Sequence, residues 1–501
     1  MRRRPGPVDV PEFPEDLEWL NVEQPLRLRD VSGKVILLNF WTSCCVNCMH
    51  VIPDLNQLLS KYEPELVVIG VHAPRCAAER EIEQLRAAVM RHEIAYPVVN
   101  DRDMRIWRAW EVDAWPTSIL IGPFGRIIRR QKGEGVLRGM DETIRGAIQS
   151  AARSGGLNRA RVVGDVAKPP SQSELSFPAG ILADDRSDRL FISDTNANRI
   201  IATDFDGNVL EVVGTGRSGF EDGAFEEAAF NHPQGAAIDG NILYVADTGN
   251  HSIRRVDFND RVVRTIAGTG RPAPALMEAG DATTTSLQSP WDVEVVHHRL
   301  YIAMAGAHQI WRMDLHSGAL EAYAGGGSSG FTDGSRGTAL LAQPSGLTSD
   351  GVRLFFTDAG ASAIRWVYLP PALQLGTLVG QGIFEYGDRD GPGKEALLQF
   401  PLGLEHHVGE LYVADTYNHR IKHLNARVSR IETLLGAGEP GFEDGDEATF
   451  NEPRDLSCGD GRLWIADTNN HAIRVAPLTG GPVSTLQLNF GERTDAKRRS
   501  P

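Results

Sequence analysis

The chain of 501 residues contains no apolar run of the roughly 18 residues that a membrane-spanning helix needs. Its N-terminus begins with a basic segment, residues 1–4, but no apolar segment follows it, as one would in a secretory signal peptide. The sequence therefore predicts neither membrane insertion nor secretion, and we expect a cytoplasmic location.

Cysteine is scarce, and its positions are Cys44, Cys45, Cys48, Cys76 and Cys458. Five cysteines, so clustered, are too few for the disulfide framework of a secreted protein. The first three fall within five positions, which in a reducing compartment indicates a reactive or metal-binding group of thiols. A structural zinc site would need a second pair of ligands, and no second Cys-x-x-Cys accompanies the first. We therefore expect no metal and no cofactor.

Basic residues are outnumbered: 51 Lys and Arg stand against 66 Asp and Glu, a net charge of −15. Residues 1–155 hold 21 basic and 21 acidic residues, so the whole acidic excess falls after residue 155. An acidic surface repels the phosphate backbone, and we expect a solvated face with no nucleic-acid partner.

The N-terminal third is organised around Cys45-x-x-Cys48. An apolar run before it, residues 35–39, has the composition of a strand buried on both faces, and apolar residues recur at helical spacing over residues 51–59. A thiol at such a strand-to-helix junction faces unpaired backbone N–H groups and the positive end of the helix dipole. The second thiol lies one turn further on. The pair fits thiol–disulfide exchange, with Cys45 attacking and Cys48 resolving.

Strands and helices alternate from about residue 26 to residue 152. The pattern predicts strands over residues 35–39, 66–71, 96–99, 118–121 and 126–130, and helices over residues 49–62, 77–92, 103–110 and 141–152. Glu79, Glu81 and Glu83 fall near the start of the second helix, where acidic residues suit the dipole. This alternation indicates an α/β sheet covered on both faces.

Two separated motifs resemble the thioredoxin fold over about residues 20–150: Phe40-Trp41-x-x-Cys44-Cys45-x-x-Cys48, and Trp115-Pro116-Thr117 ahead of an apolar strand. Residues 77–99 resemble the insertion of the subfamily that includes cytochrome-maturation reductases and peroxiredoxins. The resemblance implies that Pro116 is a cis-proline against the active-site thiols. It also implies that Trp41 and Pro116 shape the surface on which a partner strand lies.

Several positions depart from that family's pattern. Asn39 stands where thioredoxin has a buried aspartate that moves the proton of the resolving thiol, and His50 is a candidate substitute or a structural residue. Cys44 stands where tryptophan is usual. Cys44 and Cys76 are candidate auxiliary thiols, with burial as small apolar side chains as the alternative.

A repeat fills most of the chain after residue 176. The phrase Leu-Tyr-Val-Ala-Asp-Thr at residues 243–248 recurs at 411–416 and, with substitutions, at 190–195 and 463–468, and weaker copies occur at 300–304 and 354–358. A proline precedes each copy, at positions 178, 233, 290, 344, 401 and 453. Each repeat holds four short apolar runs between Asp, Asn and Gly turns. Six such repeats predict a six-bladed β-propeller.

The Asp-Thr-x-Asn-His-x-Ile-Arg signature of these repeats resembles the NHL repeat. A thioredoxin-like domain before an NHL propeller, with a Cys-Cys-x-Asn-Cys motif, resembles the NHL repeat-containing protein 2 family. We therefore predict an α/β thioredoxin-like domain at residues 1–155, a linker at 156–176, an all-β six-bladed NHL β-propeller at 177–490 and a basic tail at 491–501. The ring closes either through an outer strand from residues 161–163 or through a last blade built wholly from residues 453–490.

Two repeated sets of polar side chains mark the propeller. Asp194, Asp247, Asp358, Asp415 and Asp467 suggest a ring of carboxylates for a metal or substrate, but a residue repeated in nearly every blade is better explained as closing a turn. His251, His308, His419 and His471 are also equivalent, on a circle whose radius need not suit metal bonds of about 2 Å. Glycine-rich loops at 214–223, 325–334 and 436–445 lack the lysine of a phosphate-binding loop, and we expect them to form a protein-binding rim.

Two functions of different class follow. The first is a thiol–disulfide oxidoreductase whose protein clients react with Cys45 and Cys48 and are recognised by the loop face of the propeller. The alternative is a non-enzymatic propeller scaffold with a redox-inert thioredoxin-like domain, which Asn39 supports. Hydrolase or lyase chemistry at a channel metal is a third and weaker hypothesis. The sequence does not indicate the client, the reductant or the oligomeric state.

Overall fold

The computed structural model of the chain describes residues 10–162, 173–273 and 278–491. The chain divides into two compact units, residues 1–170 and 171–501, and the division falls inside the predicted linker. The predicted basic tail, apart from its first residue, and half of that linker lie outside the described residues. Among the described residues, no helix has both the length and the apolar character needed to cross a bilayer.

The first unit is an α/β domain with one six-stranded sheet. Its strands are β1 (Trp19–Leu20), β2 (Val35–Trp41), β3 (Leu66–His72), β4 (Val98–Asn100), β5 (Thr117–Ile121) and β6 (Ile127–Lys132), in the sheet order β1-β4-β3-β2-β5-β6. Its helices are α1 (Val46–Tyr62), α2 (Ile82–Arg91), α3 (Arg105–Ala109) and α4 (Val136–Ser154). Strands β2, β3 and β4 run parallel, whereas β5 runs antiparallel to β2 and β6. This is the thioredoxin-like fold predicted from the sequence.

The central strands are apolar throughout because both faces of the sheet are covered. Every residue of β2 and β3 is buried. Leu37 and Trp41 of β2 enter one hydrophobic cluster with α1, α2 and α4, and the alternate residues Leu38 and Phe40 enter a second cluster with α3. A strand buried in this way carries no polar alternation, which is why a continuous apolar run predicts it.

Two predicted helices differ from the observed ones. The helix predicted at 77–92 is a 3₁₀ turn, Ala78–Arg80, followed by α2, and Glu79 of that turn is buried rather than exposed at a helix end. Helix α4 begins at Val136, five residues before the predicted start. Gly139 lies in its early turns, where glycine weakens the helix signal.

The second unit is a six-bladed β-propeller, as predicted. Each blade has four main strands. They are Gly180–Asp184, Arg189–Asp194, Arg199–Thr203 and Val209–Val213 in the first blade; Pro233–Asp239, Ile242–Asp247, Ser252–Asp257 and Val262–Ala267 in the second; and Pro290–Val296, Arg299–Met304, Gln309–Asp314 and Ala319–Ala324 in the third. They are Pro344–Ser349, Arg353–Asp358, Ala363–Tyr368 and Gln374–Val379 in the fourth blade; Leu404–His407, Glu410–Asp415, Arg420–Asn425 and Arg430–Leu435 in the fifth; and Pro453–Gly459, Arg462–Asp467, Ala472–Pro477 and Ser484–Thr485 in the sixth. In every blade a 3₁₀ turn separates the second strand from the third: Thr195–Ala197, Thr248–Asn250, Ala305–Ala307, Ala359–Ala361, Thr416–Asn418 and Thr468–Asn470.

The loops between blades add a short outer strand to the blade that follows. These two-residue strands are Gly223–Ala224, Gly280–Asp281, Gly334–Ser335 and Gly391–Pro392, in blades two to five. Gly334 and Gly391 have φ of 141° and 135°, a region that only glycine adopts readily. The glycine-rich phrases of the sequence therefore form blade edges as well as loops.

The ring closes through the C-terminal segment. All strands of the sixth blade lie within residues 453–485, and Asn489 then pairs with Asn208 at the outer edge of the first blade. The N–H of Val209 donates to the Asn489 carbonyl at 2.9 Å, and the N–H of Asn489 donates to the Gly207 carbonyl at 2.8 Å. Of the two closures considered from the sequence, the second is therefore correct. Val162 packs instead in the first unit.

Candidate thiol site

Cys45 lies where β2 passes into α1. Residues 42–44 form the connection, and Cys45 is the N-cap of α1 with extended backbone angles, φ −102° and ψ 113°. Its side chain is half-buried, whereas Cys48 in the first helical turn is fully buried. All five cysteines of the chain lie among the described residues and are thiols. The two sulfurs therefore differ as an attacking and a resolving thiol must: one reaches solvent and one does not.

The two thiols also differ in acidity. The pKa of Cys45 lies below its ordinary value, first because the Cys48 thiol hydrogen-bonds to its sulfur. Burial opposes this, and the backbone N–H groups of Cys48 and Asn47 and the charge of Arg75 add to it. The pKa of Cys48 is well above its ordinary value because the thiol is buried and lies against Cys45. Thiolate character is thus concentrated on Cys45.

The Trp115–Pro116 peptide is cis, as the resemblance implied, and Pro116 is buried. Trp115 is half-buried, packs with Cys45 against the same hydrophobic cluster, and donates from Nε1 to the Ala73 carbonyl at 3.0 Å. Trp41, predicted to shape the partner surface, is fully buried. The position of Trp41 on a central strand explains the difference, whereas Trp115 keeps part of its surface accessible.

Glu79 is the polar residue that sequence analysis placed wrongly. Its carboxylate is 2% exposed and accepts hydrogen bonds from the residues that precede Cys45. The Thr42 hydroxyl donates at 2.6 Å, the Ser43 hydroxyl at 2.7 Å and the Cys44 N–H at 2.9 Å. The Arg75 N–H, from the loop after β3, donates at 2.7 Å. The role of Glu79 as a hydrogen-bond acceptor depends on its side chain pointing inward from the 3₁₀ turn. The sequence pattern, acidic residues near the start of a helix, does not indicate that direction.

A buried histidine completes this cluster. His72, at the end of β3, is fully buried, with Nε2 3.9 Å from Glu79 Oε1 and its ring 5.1 Å from that of Trp41. Burial alone would raise the pKa of Glu79, but the interaction with His72 and the hydroxyls of Thr42 and Ser43 outweigh it and lower the pKa to about 2. Glu79 is therefore an anion at neutral pH.

The two candidate auxiliary thiols, Cys44 and Cys76, lie beside this anion. Both are buried, at 2% and 7% exposure. Burial, and next the charge of Glu79, raise the pKa of each thiol well above its ordinary value. Both side chains are thus buried in surroundings that disfavour the thiolate, and an auxiliary role for them stays a prediction.

Asn39 and His50 occupy different surroundings. Asn39 is fully buried, and the Ser118 hydroxyl donates to its Oδ1 at 3.3 Å. Tyr96 is also fully buried, and burial, with a smaller contribution from nearby Cys48, raises its pKa. His50 lies with Nδ1 2.9 Å from Glu134. The structure thus gives His50 a carboxylate partner of its own and places Tyr96 near the resolving thiol.

The repeated aspartates of the propeller are structural, but they bind the backbone of the segment that enters their blade and not, as the sequence suggested, the backbone of the turn that follows them. In the second blade, Asp247 accepts the Asn231 N–H at 2.7 Å and pairs with Arg254 at 2.8 Å. Asp358 and Asp467 make the same pairs with arginines of their own blades. Each buried carboxylate thus fixes the segment that leads into its blade.

The repeated histidines join neighbouring blades. The Nδ1 atoms of His251, His308, His419 and His471 accept backbone N–H groups of the next blade at 3.0, 3.2, 3.0 and 3.0 Å. Asn198 and Ser362 do the same in the first and fourth blades. Because these ring nitrogens face backbone donors, they are not arranged around an ion.

The inner strands carry carboxylates that sequence analysis missed: Asp292, Glu294, Glu405 and Asp455 are half-buried there. Burial raises the pKa of Glu294 to about 8 and that of Asp455 to about 7. Within residues 10–162, 173–273 and 278–491, no three His, Cys, Asp or Glu side chains are grouped so that they could hold a metal ion. The channel-metal hypothesis thus has no ligand set in the described chain.

These features define the class of protein: a thioredoxin-like domain with a cysteine pair at a helix N-terminus, followed by an NHL-type propeller. A thioredoxin-like family model matches residues 33–127, and the NHL repeat model matches residues 230–256 and 450–476. Protein SUPPRESSOR OF QUENCHING 1, chloroplastic, of Arabidopsis thaliana is 41% identical over 98% of this chain and 49% of its own length. NHL repeat-containing protein 2 of Gallus gallus is 36% identical over 99% of this chain and 74% of its own length.

The chain belongs to the NHL repeat-containing protein 2 family. It spans about half the length of the Arabidopsis relative and about three quarters of the Gallus gallus one. Its first unit is also similar to thiol-disulfide oxidoreductase YkuV of Bacillus subtilis, at 25% identity over 27% of this chain and 90% of that protein.

Proposed function

We propose that this protein is a thiol–disulfide oxidoreductase in which Cys45 attacks and Cys48 resolves. The observation that carries the proposal is the asymmetry of the pair. Cys45 is half-exposed at the N-cap of α1 with a lowered pKa, and the buried Cys48 thiol hydrogen-bonds to it. The similarity to a thiol-disulfide oxidoreductase over the first unit supports the same chemistry.

The exchange has two steps. The Cys45 thiolate attacks one sulfur of a client disulfide, the client S–S bond breaks, and the departing client thiolate takes a proton while a Cys45–client disulfide forms. Cys48 then loses its proton and attacks the Cys45 sulfur, which releases the second client thiol. The client gains two electrons and two protons. The protein is left with a Cys45–Cys48 disulfide, which a dithiol reductant protein must reduce before the next cycle.

The client is a protein in this proposal, and the propeller is the module that recognises it. The loops between blades supply a rim whose conformation is fixed by ion pairs such as Arg254–Asp222 and Arg474–Asp444. A rim held in one conformation loses little entropy when it binds. We place the reaction in the cytoplasm, where a dithiol reductant is available.

A scaffold without redox activity is the second candidate. The burial of Cys48, with the amide of Asn39 in place of a carboxylate, favours it because nothing acidic or basic at position 39 assists removal of the Cys48 proton. The two candidates differ in one respect that can be measured, since only the oxidoreductase forms a covalent bond with its partner.

Replacement of Cys48 by Ala tests the proposal. The variant lacks the resolving thiol, so a disulfide-linked client complex should persist on Cys45 and appear as a shifted band on a non-reducing gel. Wild-type protein should show at most about a tenth of that band, because Cys48 releases the client. The matched control is Cys45→Ser in the Cys48→Ala background, which should abolish the band. If Cys48→Ala forms no more complex than this control, the scaffold is the correct function.

A further inference from the structure

The exchange proposed above uses Cys45 and Cys48, yet the structure also holds a buried anion, bonded to the residues that precede Cys45, that takes no part in either step. Glu79 lies on the 3₁₀ turn after β3, and its two oxygens accept hydrogen bonds from four residues. Three of the donors belong to consecutive residues, Thr42, Ser43 and Cys44, and the fourth is the Arg75 N–H. One carboxylate therefore joins the loop that leads into α1 to the loop that follows β3.

Such an arrangement fixes a loop firmly. Hydrogen bonds to an ionised acceptor are shorter and stronger than those between neutral groups, and here the donors include both hydroxyls and a backbone N–H. Removing the acceptor charge leaves buried donors with poorer partners. The conformation of residues 42–44, and with it the direction in which Cys44 points, depends on Glu79.

Besides the resolving Cys48, this small region holds three thiols, those of Cys44, Cys45 and Cys76. Cys44 precedes Cys45 directly in the chain, and Cys76 lies on the loop that Glu79 fixes. Cys44 Sγ is 3.5 Å from the Thr42 hydroxyl, which itself donates to Glu79. The titratable side chains that interact with Glu79 include His72, Cys44 and Cys76, and Arg75 contributes its backbone N–H. A fixed negative charge disfavours thiolate formation at its thiol neighbours.

We propose that Glu79 is a positioning residue that fixes residues 42–44 so that Cys45 alone, and neither Cys44 nor Cys76, is presented to a client disulfide. The inference rests on the proposed thiol exchange and adds to it the basis on which one thiol is selected among three. A client joined to Cys44 would lie outside the direct Cys45–Cys48 resolving step. When only Cys45 reacts with the client, every mixed disulfide forms where Cys48 can resolve it.

The test is the order in which the thiols react. Reduced full-length protein is alkylated with limiting iodoacetamide at pH 7, and each cysteine is quantified by peptide mass spectrometry. In the wild type, Cys45 should react at least about tenfold faster than Cys44 or Cys76. In Glu79→Gln, the alkylation of Cys44 should rise by about tenfold while Cys48 stays protected. In the Cys48→Ala background, Glu79→Gln should place part of the trapped client on Cys44.

Asp101→Asn is the matched control. Asp101 is a fully buried carboxylate of the same domain, and it accepts the Ile106 and Trp107 N–H groups of α3 at 3.0 and 2.7 Å rather than groups of residues 42–44. Its replacement weakens the domain through a lost cap but should leave the order of alkylation unchanged. Glu79→Asp, which keeps the charge, should restore at least part of the preference for Cys45.

The outcomes separate the inference from the function on which it rests. If Glu79→Gln retains the wild-type order, or if Cys44, Cys45, Cys48 and Cys76 all react faster together, Glu79 has no positioning role and the inference is wrong. A trapped client on Cys45 in Cys48→Ala would still uphold the proposed function in that case. If no client is trapped in any background, the proposed function fails, whereas a selective rise at Cys44 would still establish that Glu79 orders the thiols.

Discussion

At the scale of single residues, the thiol chemistry depends on neutral neighbours more than on a charged partner. The first cause of the lowered pKa of Cys45 is a hydrogen bond from the Cys48 thiol, and backbone N–H groups of α1 contribute after it. Only Arg75 adds a full positive charge among the causes. The reactivity of Cys45 is therefore set by the residue that later resolves its disulfide.

This dependence predicts how substitutions at Cys48 act on Cys45. Cys48→Ala removes the hydrogen-bond donor, so the midpoint of Cys45 alkylation against pH should move up by about one pH unit. Cys48→Ser keeps a donor at the same position and should move the midpoint by less than half as much. The measurement is the rate of iodoacetamide labelling of Cys45 between pH 5 and pH 10. If both variants kept the wild-type midpoint, the acidity of Cys45 would not depend on the Cys48 thiol.

At the scale of elements, the propeller is held together by a contact repeated at every joint between blades. A polar side chain just after the 3₁₀ turn accepts an N–H of the segment that enters the next blade. The residue adopts the left-handed region, with φ of 48° to 54°, which directs its side chain across the joint. Histidine occupies four of these positions, Asn198 the first and Ser362 the fourth. The shared requirement is an acceptor, not an imidazole.

The joint between the last blade and the first gives a prediction. His471 Nδ1 accepts the Phe177 N–H at 3.0 Å, and burial lowers the pKa of His471 below its ordinary value of 6.5. His471→Ala should lower the free energy of unfolding of the propeller by about 1–3 kcal/mol, because the Phe177 N–H loses its acceptor. His471→Asn should recover more than half of that loss, as Asn198 performs the same task in the first blade. Denaturant unfolding at pH 7.5 measures both variants.

The same histidine predicts the direction of a pH effect. Since its pKa is lower in the folded state, the unfolded chain binds more protons below about pH 6.5, and stability should fall as the pH drops through this range. His419 has a lowered pKa for the same reason and adds to the effect. His471→Asn should flatten the fall between pH 6.5 and pH 5. If the wild type and the variant lose stability in parallel, the histidine does not act as a neutral acceptor.

The strands and blades were predictable because their sequence pattern repeats or is continuously apolar. The directions of side chains in loops and short turns were not predictable. The apolar run of β2 predicted the first fold, and the six prolines with the five aspartates that follow them predicted the second, because a buried strand and a stacked blade each impose a sequence pattern. Cys45 and Cys48 were predictable from the strand-to-helix junction. Glu79 was not, since a single turn of 3₁₀ helix leaves no periodicity to show that its carboxylate points inward. Trp41 is buried because α1, α2 and α4 pack against its strand, and the spacing of residues in the Cys45-x-x-Cys48 motif does not indicate this packing.

At the scale of the whole molecule, the propeller ring must be closed between its first and last blades, which are far apart in sequence. Several contacts together close the ring. Ile181 of the first inner strand donates its N–H to Asp455 at 2.8 Å, and the Thr468 hydroxyl donates to the Pro178 carbonyl at 2.7 Å. The C-terminal segment then supplies, to the first blade, the outer pairing that inter-blade loops supply to the others.

Residues 486–491 should therefore behave as part of the propeller. Leu488 is buried in the cluster that joins the sixth blade to the first, and Leu486 packs against it, while Asn489 makes two backbone hydrogen bonds to the first blade. Removing residues 486–501 should lower the free energy of unfolding of the propeller by at least about 4 kcal/mol, because buried leucine contacts and edge pairing are lost together. Removing only residues 492–501 is the matched control and should change it by less than about 0.5 kcal/mol. Thermal unfolding of the full chain and the two truncated proteins separates them. Equal stability of the two truncated proteins would mean that the inner-strand contacts at Ile181 and Thr468 close the ring without help from the C-terminal segment.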